Sequence, residues 1–165
     1  DAEAMFRDCT VLTTIGELPE HVISLNETFM DCINLKDMPE IPEGVREMRS
    51  TFSGDISLRS LTSVPSSVTD MQACFKGCSK IAGDLRIDAE PESFSSCLYG
   101  AAVETKVNLT GGSRMLDAFA NDADSVTENI LVNGGAADPL VRSLKDAIER
   151  EEALKAEKET EEGKQ

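Results

Sequence analysis

The chain has 165 residues, 28% of them charged, one Tyr, no Trp and a formal net charge of −15. That length suits a single domain with a buried core, and so negative a balance excludes a protein whose affinity comes from displacing counterions from nucleic acid. No run of about 18 apolar residues occurs, so no membrane-spanning helix is expected.

Residues 1–8 enter a repeating pattern in mid-unit, at a segment that ends on Phe6 and Cys9. Phe6 is the first of a series of anchors that continues as Phe29, Phe52, Phe75, Leu98 and Phe119, at intervals of 23, 23, 23, 23 and 21 residues. So regular a period predicts stacked coils. The first full unit runs through Leu12, Ile15, Leu18, Pro19, Val22 and Leu25 to Phe29. The second fills the same slots with Leu35, Met38, Ile41, Pro42, Val45, Met48 and Phe52, and the third with Leu58, Leu61, Val64, Pro65, Val68, Met71 and Phe75. The stretch Pro65–Asp84 is the cleanest copy.

Each unit divides in two. After the proline, apolar residues fall at i, i+3 and i+7 (Val45, Met48, Phe52; Val68, Met71, Phe75), a spacing that predicts a short helix of about two turns. The other half is extended: Leu85 with Ile87, Val107 with Leu109 and Ile130 with Val132 alternate as strands with one buried face. In the first three units the apolar pair is three apart and Pro39 interrupts the second, so those segments are expected to be bulged or unpaired. The fourth unit has Asp88 in place of the proline, and the fifth loses two residues around Gly111 and Gly112 before Asn133, Gly134 and Gly135 end the repeats. Asp138 and Pro139 then cap a predicted helix running to Leu154, followed by a charged tail. The expected architecture is an α/β repeat solenoid of five to six coils over residues 1–134, with a C-terminal helix and frayed tail over residues 135–165. The acidity belongs to the repeats, since residues 1–138 carry 10 Lys and Arg against 23 Asp and Glu.

The string VPSSVTDMQACFKGC, with Pro65, Val68, Thr69, Phe75 and Cys78 in matching slots, resembles the repeat of BspA-like (Treponema-type) leucine-rich-repeat proteins. This chain departs from that pattern in having Met71 after the Val-Thr pair and one residue fewer before the phenylalanine. The resemblance spans about residues 5–132. It implies a leucine-rich-repeat-like solenoid with a parallel sheet on one face and short helices on the other. It also implies adhesion or binding at a bacterial cell surface, or in a phage-associated protein, with an extracellular or surface location and no catalytic residues.

Equivalent positions in stacked units form ladders. Glu17, Glu40, Ser63 and Arg86 share a slot that points away from the core on the sheet face, and Asn108 is assigned to the same ladder; these five are the candidate ligand-binding residues, for a protein or glycan. Stacked carboxylates could hold a hard cation, but no Asp-rich loop supports one, so neither metal nor cofactor is expected. Cys9, Cys32 and Cys78 occupy one slot, interrupted by Asp55, and Cys74 and Cys97 occupy another; burial as small apolar groups is the leading reading, with candidate disulfides between Cys9 and Cys32 and between Cys74 and Cys97. His21, the single histidine, sits in a turn slot with no partner to complete a catalytic set, so no enzymatic activity is expected. The rival to ligand binding is assembly, with neighbouring subunits engaging the ends of the stack or the helix from Asp138 to Leu154.

Overall fold

The structure, a computed structural model, describes residues 1–111 and 129–136. The 23-residue period appears in it as coils stacked in parallel register: Ser24 bridges Glu47, Glu47 bridges Asp70, Asp70 bridges Ser93, and Asp37 bridges Ser60. Strands appear where the extended half alternates in polarity and also at Ser63–Val64 in the third unit, where the spacing predicts a bulged or unpaired segment. They are β1 (Ser63–Val64), β2 (Gly83–Ile87), β3 (Val107–Thr110), β4 (Ile130–Val132) and β5 (Gly135–Ala136). The first four pair in parallel in chain order, and β5 turns back antiparallel on β4. Leu85, Ile87, Val107, Leu109 and Ile130 are buried beneath the sheet. The first two units make only the Asp37 bridge in this half, and Pro39 and Pro42 bring no amide to a ladder there.

The short helices expected after each proline do not form, and the α/β reading is corrected accordingly: among the described residues there is no helix. The backbone there is a ribbon of turns. The amides of Leu25, Glu27, Phe29 and Asp31 donate to the carbonyls of Glu47, Arg49, Thr51 and Ser53 in the next coil, at 2.8–3.0 Å. Between them, the amides of Thr28, Met30 and Cys32 close three-residue turns onto Leu25, Glu27 and Phe29. The same alternation recurs in the coils anchored by Phe6, Phe52 and Phe75. It requires a left-handed residue twice per coil, at Ala4, Glu27, Ser50, Ala73 and Ser96, and again at Asp8, Asp31, Gly54, Gly77 and Gly100. A chain that reverses φ every fourth residue cannot wind into an α-helix. The predicted helix from Asp138 to Leu154 lies outside the described residues.

The apolar slots are nonetheless the core. Phe29, Phe52 and Phe75 are fully buried and Phe6 half-buried, their rings lying nearly parallel with centroids 5.7, 5.5 and 5.6 Å apart along the series. Those separations fall within the range of favourable ring pairs.

Two side-chain ladders flank this column, and both donate hydrogen bonds to backbone carbonyls of the preceding coil. Thr28 Oγ1 donates to the Ala2 carbonyl at 2.7 Å and Thr51 Oγ1 to that of Leu25 at 2.9 Å. On the other side, Cys32 Sγ donates to the Phe6 carbonyl and Cys78 Sγ to that of Phe52, each at 3.0 Å. The column thus selects small side chains that carry a donor. Thr51→Val, which keeps the volume and removes the donor, is expected to cost about 0.5–1.5 kcal/mol in urea denaturation, because the Leu25 carbonyl keeps only its turn bond from Thr28. An unchanged midpoint would show that the hydroxyl ladder contributes nothing.

Candidate functional site

Three of the five ladder residues come together. Glu17, Glu40 and Ser63, one from each of three successive units, line an open concavity of about 810 Å³. Ile15, Leu18, Pro39, Ile41, Pro42 and Thr62 share the lining, and Glu20 and Glu43 add two further acids. All four glutamates are exposed, whereas Pro39 and Ile41 are buried. Neither of the first two units forms a strand across this face, and in the second, Pro39 and Pro42 have no amide to give a ladder.

The other two ladder residues lie apart from the concavity. Arg86 pairs in register with Ser63 but turns its guanidinium to Asp88, with Nε 2.9 Å from Oδ1. Asn108 does not continue the ladder as assigned. It stands opposite Asp84, donating from Nδ2 to Oδ1 at 2.6 Å, and Arg86 faces Thr110 instead. The step from β2 to β3 is 24 residues, one more than the usual period, and the slot assignment moves with it.

Sequence reasoning missed Glu20 and Glu43, although their separation of one period was the available signal. It also missed a polar cluster along the turn ribbon. Asn26 Nδ2 donates to Glu47 Oε2 at 2.8 Å while its Oδ1 accepts from the Arg49 amide, and Arg49 Nη2 reaches Asp70 Oδ2 at 2.9 Å. The Asn26–Glu47 and Arg49–Asp70 contacts span 21 residues and so run diagonally between slots, whereas the Asn26–Arg49 contact follows the 23-residue column.

The five cysteines are thiols, with no disulfide between Cys74 and Cys97 or any other pair. Burial pushes the Cys32 thiol up to about 11, with Asp55 adding to the effect, and raises Cys74 and Cys78 well above the ordinary thiol value for the same reason. Buried thiols so raised hold almost no thiolate and are poor nucleophiles. Their place in the donor ladder accounts for Cys32 and Cys78 structurally. His21 is exposed and lines a second, apolar cavity of about 390 Å³ at the first coil, with Met5, Phe6, Leu18 and Val22. Among the described residues, no group of three or more His, Cys, Asp or Glu is placed to hold a metal ion, and no helix is long and apolar enough to cross a membrane.

The fold and site define a class, a stack of 23-residue coils built from turns and short parallel strands, with an acidic concavity on one face. The chain matches no family model, no curated protein and no solved structure.

Proposed function

We propose that this is a non-enzymatic binding module that takes a basic segment of a partner protein into the concavity of Glu17, Glu20, Glu40 and Glu43, at the bacterial cell surface that the BspA-like resemblance implies. The observation that supports the reading is the convergence of four exposed acids from adjacent coils around a floor of Ile15, Leu18, Ile41 and the two prolines. An apolar floor contributes burial, and a rim of one sign contributes steering and selectivity for the opposite sign. Of protein and glycan ligands, this lining favours protein, since it holds acids and aliphatic groups and no aromatic ring.

The test is an array of Lys- and Arg-containing peptides probed with the intact chain and with the Glu40→Lys, Glu43→Lys double variant. Binding that weakens with salt and falls at least about tenfold in the double variant, with an unchanged melting temperature, is the expected result. No binding to any basic peptide, or binding that survives the charge reversal, would sink the proposal.

Assembly is the second reading, supported by the apolar cavity at the first coil, where Met5 is 61% exposed. It is separable because Glu40 and Glu43 do not line that cavity. A mass by light scattering that falls in a Met5→Asp variant, with peptide binding absent, would favour it.

A further inference from the structure

Asp55 stands where the repeat otherwise places a small donor. Its slot is held by Cys9, Cys32 and Cys78, and it is fully buried, with no exposed surface. The bonds of the cysteines define what the slot demands. Cys32 Sγ donates to the Phe6 carbonyl while the Cys9 amide points at its sulfur, and Cys78 Sγ donates to the Phe52 carbonyl while the Asp55 amide points at its sulfur. A residue here must therefore accept from the amide of its predecessor and donate to the carbonyl of the preceding anchor. One thiol sulfur does both.

Asp55 divides the two tasks between its oxygens. Oδ1 accepts from the Cys32 amide at 2.9 Å, and Oδ2 is buried without a hydrogen-bond partner. By the repeat, the carbonyl left to it is that of Phe29. An ionised carboxylate would set two acceptors against each other there, both shielded from bulk solvent. The remaining neighbours do not favour the anion. Asp31, from the preceding coil, is a second acid acting against an Asp55 anion, and the neighbouring Cys32, Cys74 and Cys78 are thiols held neutral, which offer that anion no countercharge.

We propose that Asp55 folds as a neutral carboxylic acid, Oδ1 accepting from the Cys32 amide and Oδ2 donating to the Phe29 carbonyl, so that forming this coil takes up one proton and the stack loosens as the pH rises. The electrostatics agree: burial first and Asp31 after it lift the carboxyl from 3.8 to about 9, against the opposing pull of the Cys32 amide. The sign follows from proton counting. Between those two values the folded chain holds a proton that the unfolded chain has released, so stability is fully present below the lower value and is lost as the pH climbs towards the upper. This runs opposite to the acid unfolding of chains whose carboxylates are stabilised as anions.

Urea denaturation of the intact chain at pH 5, 6, 7 and 8, beside Asp55→Cys, tests it. The variant installs the residue that Cys32 and Cys78 already carry in this slot, and titrations at other positions are common to both proteins. The folding constant of the unaltered chain is expected to drop about tenfold per pH unit relative to the variant, the signature of one proton. Parallel profiles would overturn the proposal. Infrared spectroscopy of the unaltered chain at pH 7 gives a readout that does not depend on the variant folding. A protonated carboxyl carbonyl band is expected, and its absence would overturn the proposal as surely as parallel profiles.

Discussion

Phe52→Ala is expected to lower the stability of the chain by about 3–5 kcal/mol, at the upper end of losses from one core side chain. Phe52 is fully buried between two parallel rings, 5.5 Å from Phe29 and 5.6 Å from Phe75. Removing it opens a cavity between two coils at once, and the surrounding backbone cannot collapse to fill it. The amides on both sides are fixed: Phe29 donates to the Thr51 carbonyl and Phe52 to that of Cys74. Phe6→Ala should cost clearly less, because Phe6 is half-buried and stacks on one ring among the described residues. Urea denaturation of both variants measures the difference. Equal losses would mean that the column contributes ring by ring, without the neighbours on both sides that a stack requires.

Gly54→Ala is expected to cost more than Gly77→Ala, although the two glycines share a slot. Both are left-handed, at φ 83° and 73°, and a residue with a Cβ held there costs roughly 1–3 kcal/mol. At Gly77 that backbone term stands alone, since an added Cβ would meet only the Gly54 backbone at 3.8 Å. At Gly54 the same Cβ would collide with the Asp31 carboxylate, which lies over the glycine from the preceding coil. Combining Gly54→Ala with Asp31→Ala removes the obstacle and should bring the cost down to that of Gly77→Ala. If Gly54→Ala and Gly77→Ala are equally destabilising from the start, Asp31 turns aside freely and its position over Gly54 carries no weight.

Part of the site was legible and part was not, for a reason that the residues make plain. Glu17, Glu40 and Ser63 follow one another at the period of the repeat, so their convergence needed only the assumption that coils stack. Asn108 shows the limit. Arg86 faces outward and Leu109 inward, so the alternation of β2 and β3 excludes an offset of 23 and permits 22 or 24. Assigning Asn108 to the ladder of Arg86 takes the first, and the structure takes the second, pairing Leu85 with Leu109 and Gly83 with Val107. Asp55 was visible as an interruption in a column of cysteines, but its meaning depended on which carbonyl and which amide that column faces.

By itself the sequence determined the period, the apolar column from Phe6 to Phe75, the parallel stacking and the strands at Leu85, Val107 and Ile130, because each of these repeats locally and leaves a mark in residue type. Only the tertiary structure decided that the segments after the prolines are turns rather than helices. Apolar spacings of three and four residues suit a helix and equally suit a ribbon of turns that exposes every second amide. The choice between them is made by whether the next coil offers carbonyls to those amides, and Glu47, Arg49, Thr51 and Ser53, some 22 residues further along the chain from their donors, do so. The left-handed residues follow from that choice. Gly54, Gly77 and Gly100 announce theirs in the sequence, whereas Glu27, Ser50 and Ala73 are held at positive φ by contacts that no local pattern records.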